Sequence, residues 1–395
     1  MPNYKLIATF VIDREQLKMI IAINARTLRA VPRDGIGWFT LEVTRGMAVN
    51  HPEHLFVMVC DREHDPLPVE GNNIRYITIP IRTVHPVLRQ VWHEYHLPPL
   101  LKKLQSDLFL APDGIIPLRT DVPCIPVIHD LNHEHRPGDI PRAECRYYRR
   151  RFPLFAARGA RVATVSQFSA DDISDKYGIS PEKIDIVPNG VAAVFSPPLP
   201  GEAEETRREY AGGRPYFLFV SNFSPRKNIE TVIRAYESFR REGGGDHVLL
   251  LAGRRLYLTR AMDRQLHSSP YGNDILFTGS ATRAMLRRLY GGAEALVFVP
   301  WLEGFGIPVV EAQRCGTPCI LSDSSSLPEV SGGAALCVSP ADAGAIAEAM
   351  ARLVTDGALR RRLSSEGMAN SMKYTWERAA DEMWTSIIKA TGGDR

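Results

Sequence analysis

The chain has 395 residues, 44% of them hydrophobic and 24% charged, with a formal net charge of +3. That length is more than one core usually serves, so two domains are the prior, in an otherwise ordinary globular composition. So small a charge gives no ground for nucleic-acid binding, and no apolar run approaches the length needed to cross a bilayer.

At the start, the apolar run 6–12 is short, is followed by Asp13-Arg14-Glu15 and lacks a small-residue cleavage site. It does not read as a signal peptide. Met19 opens the next strand-like run, so 1–18 are expected to be a dispensable extension. From there strand-length apolar runs alternate with helical patterns. The first half offers strands at 19–24, 55–60, 74–79, 107–111, 124–129, 162–165 and 184–187. The second half repeats the plan at 216–221, 248–252, 275–278, 295–299, 318–322 and 335–338. Such alternation predicts α/β architecture, parallel sheets with helices on both faces. Pro197-Pro198-Leu199-Pro200-Gly201 is the linker candidate. The expected domains are therefore 1–198 and 199–375, with a C-terminal helix in 376–395 that can pack back on either. Ligands in such sheets bind outside the C-terminal strand ends. Six scattered cysteines fit small buried hydrophobes in a reducing cytoplasm.

Several motifs follow those strands. Asp34-Gly35-Ile36-Gly37 precedes the amphipathic pattern 39–49 and reads equally as a plain helix entry or as a sugar or phosphate contact through Gly35 and Gly37. His129-Asp130 ends a buried strand, where a histidine either caps the turn or meets a substrate hydroxyl. His133 and His135 lack the acidic or Cys neighbours of a metal centre, so no metal is expected. Arg142, Arg146, Arg149, Arg150, Arg151, Arg158 and Arg161 face one acid, Glu144, and interleave with aromatics. That basic amphipathic stretch suits an anionic membrane surface, or pairs with acids elsewhere. Ser166 reads as a helix cap and Pro188-Asn189-Gly190 as a turn.

Pro225-Arg226-Lys227-Asn228 opens a helix after the strand 216–221. Cations are normally placed at helix C-termini, so two at an N-terminus point to a visiting anion or to a solvated pair. The run Glu303-Gly304-Phe305-Gly306-Ile307-Pro308-Val309-Val310-Glu311 follows the strand 295–299 and reads as a glycine loop entering a short helix that stops at Gly316-Thr317-Pro318. Glu311 would lie about 6 Å along that helix. A carboxylate at the loop mouth, N–H groups at the helix start and a second carboxylate suit a nucleotide sugar. A structural glycine turn is the plainer alternative.

These elements, with Phe277-Thr278-Gly279, Leu289-Tyr290, Leu327-Pro328-Glu329-Val330, Leu97-Pro98 and Val165-Ser166, make the chain resemble the retaining glycosyltransferases of family 4 over roughly residues 19–390. The resemblance implies a GT-B fold: two doubly wound Rossmann-like domains with an interdomain cleft. It implies that Glu303 faces the donor sugar and that His129 contacts the hexose. Arg226 and Lys227 would hold and stabilise the leaving diphosphate without a metal. The backbone of Gly304, Phe305, Gly306 and Ile307 would meet sugar and phosphate, Glu311 the ribose, Gly35 and Gly37 the cleft, and Gly279 the border of the base. The implied donor is a nucleoside-diphosphate sugar, GDP-mannose by closeness to the mannosyltransferase-like subgroup. The implied acceptor is a glycan or polyprenol-linked glycan of surface polysaccharide, with no cofactor, and the place of work the cytoplasm, peripheral to the membrane. One departure stands out: many members carry Gly-Arg directly after the strand 216–221, where this chain has Ser221-Asn222. Arg226 is expected to supply that cation. A nucleotide-sugar epimerase of the same architecture and a non-catalytic sugar-nucleotide binder are the rival readings. The first would convert the donor with no acceptor present; the intact set of carboxylates and cations argues against the second.

Overall fold

The structure, a computed structural model, describes residues 5–6, 17–29, 34–63, 68–254, 263–265 and 268–393. Most of the expected N-terminal extension therefore lies outside the described residues. The chain forms two compact units, one of Met1–Gly190 with Trp376–Arg395 and one of Val191–Thr375.

The first unit holds β1 (Lys5–Leu6), β2 (Ile20–Asn24), β3 (Leu55–Cys60), β4 (Ile74–Thr78), β5 (Leu108–Ala111) and β6 (Cys124–Pro126) in the order β1-β4-β3-β2-β5-β6. All neighbours are parallel except β1, an antiparallel edge strand that the sequence did not announce. A two-stranded parallel ladder of β7 (Val162–Thr164) and β8 (Ile184–Ile186) follows. The second unit holds β9 (Tyr216–Val220), β10 (Val248–Ala252), β11 (Ile275–Gly279), β12 (Ala295–Phe298), β13 (Cys319–Ser322) and β14 (Leu336–Val338), all parallel, in the order β11-β10-β9-β12-β13-β14. The central strands are buried along their whole length, as in β2, β3, β9, β10 and β12. Helices cover both faces of such a sheet, so its strands read as continuous apolar runs rather than alternating ones. In each unit the strand order reverses beside the first long strand. The reversal lies between β2 and β5 in the first unit and between β9 and β12 in the second. The crevice outside the carboxyl ends at such a point is where doubly wound sheets take ligands.

The units divide between Gly190 and Val191, upstream of the boundary at 198 expected from the prolines. The reason is local bonding. The Val191 N–H donates to the Tyr374 carbonyl at 3.1 Å, and Arg287 donates to Ser196 Oγ at 3.2 Å and to the Pro197 carbonyl at 2.9 Å. The Pro-rich stretch is thereby held by the second unit.

The C-terminal helix Trp376–Thr391 belongs to the first unit. It lies against the helix Gly35–Asn50, so close that a Cβ on Gly46 would stand 2.6 Å from Ala380 Cβ. Trp384 stacks on His51 with ring centroids 3.8 Å apart. Asp185 on β8 accepts from Ser386 Oγ (2.7 Å), Lys389 Nζ (2.9 Å) and Arg161 Nη2 (2.6 Å).

The basic stretch is a helix only over Arg142–Arg158. Gly159 ends it and Arg161 leaves the surface to bind Asp185, so the expected seven-arginine face does not form. Arg149 pairs with Glu134, Arg151 lies 3.8 Å from Glu94 and Arg158 donates to the Thr120 carbonyl. Cys60, Cys124, Cys145, Cys315 and Cys319 are free and buried, and Cys337 is free and exposed. Among the described residues no helix is long and apolar enough to cross a membrane.

Candidate functional site

The second unit's reversal point gathers three of the expected residues. After β9 the chain makes a 3-10 turn, Pro225–Lys227, and then places Asn228 in the left-handed region at φ 58° before the helix Ile229–Arg241. The conformation is held by the Asn228 side-chain amide, which donates to the carbonyls of Val299 (2.9 Å) and Pro340 (2.7 Å). Across the crevice the Trp301 N–H donates to the Arg226 carbonyl at 2.9 Å. Two loops from strands far apart in sequence are thus zipped together, and their side chains meet. Arg226 Nη1 donates to Glu303 Oε2 at 2.9 Å and to the Leu302 carbonyl at 2.9 Å; Lys227 Nζ reaches the same Oε2 at 2.6 Å. The Lys227 ammonium also lies 5.2 Å from the centre of the Phe298 ring. Glu303 is fixed through its backbone, with its N–H on Ser325 Oγ at 3.2 Å and its carbonyl taking Ser326 Oγ–H at 2.9 Å.

Two consequences follow from this geometry. Two cations face one carboxylate, so the cluster carries an excess positive charge. Both cations use one oxygen, and Glu303 Oε1 keeps an acceptor position with no protein partner among the described residues. The side chains of Arg226, Lys227 and Glu303 are 22%, 13% and 14% exposed, buried enough for charge to count and open enough to be reached.

The glycine loop then enters the helix Ile307–Arg314, with Pro308 in its first turn. Gly306 sits at φ 92°, and a Cβ there would stand 2.6 Å from Leu327 Cδ2, so both conformation and space demand glycine. Phe305 is buried edge-on against Tyr374 at 5.3 Å, which leaves its backbone, not its ring, for a ligand. Glu311 is buried one turn into the helix and accepts from Tyr290 Oη at 3.1 Å. Burial pushes its carboxyl up to about 7, with the Tyr290 bond and Arg283 acting the other way. Gly279 ends β11 exposed, in the left-handed region at φ 71°. At the position of the departure, Asn222 Oδ1 is met by Arg254 Nε at 3.4 Å, a cation the sequence reading did not place there.

A raised carboxyl pKa has a definite sign. Between the unfolded value near 4.5 and the folded value of about 7 the native state holds the extra proton. The contribution to stability is therefore complete below about 4.5 and is lost as pH rises through 7. The Tm of the wild type is expected to fall more between pH 5.5 and 8 than that of Glu311→Gln, by the equivalent of about 2 kcal/mol. Parallel Tm curves for the two proteins would remove this account of Glu311.

In the first unit Gly35 and Gly37 lie within the first turn of their helix, not in a loop before it. Asp34 caps that helix and takes the Gly37 N–H at 2.8 Å, so that N–H already has a partner. His129 follows β6, packs edge-on to Phe39 at 5.2 Å and lies 2.9 Å from the Pro112 carbonyl through Nε2. A carbonyl only accepts, so Nε2 carries the proton. Burial holds the imidazole pKa below its usual value, so the ring is neutral and Nδ1 has a lone pair to offer. His133 Nε2 meets Tyr177 Oη at 2.8 Å and His135 Nε2 meets Asp172 at 2.8 Å. No group of three or more His, Cys, Asp or Glu that could hold a metal occurs among the described residues.

Residues 33–195 match the family described as Glycosyltransferase Family 4, and residues 202–369 match Glycosyl transferases group 1. The chain is 26% identical over 297 residues to O-antigen chain mannosyltransferase B of Escherichia coli, covering 75% of this chain and 76% of that one. It is 29% identical over 290 residues to the serotype-specific mannosyltransferase WbdA of Escherichia coli, covering 71% of this chain but only 35% of the relative. Among solved structures, sucrose-phosphate synthase from Thermosynechococcus elongatus superposes with a TM-score of 0.74 at 18% identity, covering 93% of this chain and 98% of that one.

Proposed function

Because this chain belongs to the family 4, group 1 glycosyltransferases with the GT-B fold, we propose that it moves a mannosyl unit from GDP-mannose to a hydroxyl of a glycan or polyprenol-linked glycan, with retention at the anomeric carbon. The sugar is suggested by the mannosyltransferases it resembles, two of which are named for O-antigen or serotype. The observation that carries the reading is the convergence of Arg226 and Lys227 on one oxygen of Glu303 at the sheet's reversal point.

In this reading Glu303 is a placeholder for the diphosphate. When the donor arrives, the two cations turn to the phosphates and Glu303 turns to the hexose hydroxyls, starting from its unpartnered Oε1. The bond between the anomeric carbon and the phosphate oxygen breaks, and the acceptor oxygen bonds to that carbon on the same face. The acceptor proton passes to the departing phosphate oxygen. Charge building on the diphosphate is stabilised by Arg226, Lys227 and the N–H groups at the start of the helix Ile307–Arg314. No step requires a metal. Glu311 accepts from the ribose diol, Gly279 borders the base, His129 Nδ1 accepts from a hexose hydroxyl, and Gly35 and Gly37 are assigned to donor binding.

A thermal-shift panel of GDP-, UDP- and dTDP-sugars tests the donor. At a concentration about 100 times Kd the matching donor stabilises by about 2.7 kcal/mol, several degrees of Tm. GDP-mannose should give the largest shift. A larger shift with a UDP-sugar would overturn the base and sugar, and silence across the panel would overturn the donor site itself.

A further inference from the structure

Among the described residues three that are not glycine lie in the left-handed region: Gln105 at φ 51°, Asn228 at φ 58° and Ser325 at φ 58°. Two have ordinary grounds. Gln105 ends the helix Leu97–Leu104, where chains commonly turn left-handed, and Asn228 is held by its own side-chain amide. Ser325 ends no helix. A side chain there is strained where glycine would sit freely. Such strain persists only where the surroundings hold it, and it collects at functional positions.

Ser325 lies in the turn between β13 and the short helix Leu327–Ser331. Its Oγ accepts the Glu303 N–H at 3.2 Å and donates to the Ser324 carbonyl at 2.6 Å. That second bond locks the hydroxyl rotor, so a lone pair stays aimed at the Glu303 N–H. The next residue, Ser326, is fully buried and gives the Glu303 carbonyl its Oγ–H at 2.9 Å and its N–H at 3.4 Å. Leu327, also fully buried, packs into the space where Gly306 lacks a Cβ. The turn is itself tied down: Ser322 Oγ donates to the Pro300 carbonyl at 2.8 Å, and the Asp323 N–H to the Val338 carbonyl at 3.0 Å. Three consecutive residues therefore clamp the glycine loop at Glu303 and at Gly306, and the strained one holds the Glu303 N–H.

We propose that Ser325 is a positioning residue that fixes the pivot on which the Glu303 carboxylate turns from the cations to the hexose. The inference rests on the placeholder reading of Glu303. A side chain that serves two partners in turn needs a backbone that stays in place, because a small displacement of the pivot spoils both geometries. Glycine at 325 would remove the strain and the acceptor together. What the strained serine supplies in its place is the hydroxyl.

Two variants separate the hydroxyl from the backbone. Ser325→Ala keeps a side chain at φ 58° and loses Oγ. Ser325→Gly loses Oγ and suits the backbone, so it should melt at or above Ser325→Ala. Hydrogen exchange of the Glu303 amide should quicken at least about tenfold in both. Turnover of GDP-mannose, read as GDP released, should fall about three- to tenfold in both, with the Kd of GDP held within about threefold because Arg226 and Lys227 are untouched. In the Glu303→Ala background, Ser325→Ala should lower turnover no further, since a residue that acts through Glu303 has nothing left to position. Unchanged amide exchange, near-normal turnover in both variants, turnover that recovers in Ser325→Gly along with Tm, or a further loss in the double variant would overturn the proposal. Failure of the transferase reading shows elsewhere: the wild type then releases no GDP from GDP-mannose, and the exchange measurement still decides whether Ser325 holds Glu303.

Discussion

Lys227→Ala is expected to lower kcat by about 10²–10³-fold and to weaken nucleoside-diphosphate binding about tenfold or more, with little change in stability. The size follows from where the charge lies. The Lys227 side chain is 13% exposed and its ammonium lies 2.6 Å from Glu303, in a partly desolvated crevice where one charge acts strongly on a leaving diphosphate. The fold should tolerate its loss, because Arg226 still neutralises Glu303 at 2.9 Å and Asn228 still locks the turn through Val299 and Pro340. Steady-state kinetics, calorimetric titration with GDP and a melting curve check the three parts. A near-normal kcat in a folded variant would defeat the assignment.

Glu303→Ala is expected to separate binding from turnover. Removing the carboxylate takes away the negative charge that Arg226 and Lys227 share, so the Kd for the bare nucleoside diphosphate should stay level or tighten. The sugar would lose its acceptor, and kcat should fall at least about tenfold, or ~1.4 kcal/mol. The two variants therefore move diphosphate affinity in opposite directions while both lower the rate. If Glu303→Ala weakens diphosphate binding as Lys227→Ala does, Glu303 is a structural tether for the cations, and its placeholder role is wrong.

The sheets could be read from the sequence because each long parallel strand is buried on both faces and shows as an unbroken apolar run, such as Ile20–Asn24 or Tyr216–Val220. The glycine loop was legible for a similar reason: Gly306 at φ 92° and Pro308 in the first helical turn are residue choices the backbone dictates. Facts joining distant segments were not legible. Nothing near Arg226 says that its partner is Glu303, 77 residues later. Asn222 gives no sign of Arg254, and Arg161 looks like one more surface cation until β8 brings Asp185 beside it. Val87 and Leu88 resemble core residues by hydropathy; only the inward turn of Arg89 on the same short helix puts them outside. The strand β1 is two residues long, too short for any periodic signal, and exists through its pairing with β4.

The chain passes from one unit to the other at Gly190 and returns at Trp376, so the second unit is a single continuous insertion within the first. This orders events at the ribosome. Residues 191–375 can fold as soon as they emerge, but the first unit must wait for its final segment. Until Ser386 and Lys389 leave the exit tunnel, Asp185 lacks two of its partners and the groove beside Gly46 stays empty. The half made first is therefore completed last, and its unfinished core waits for the helix Trp376–Thr391 to emerge.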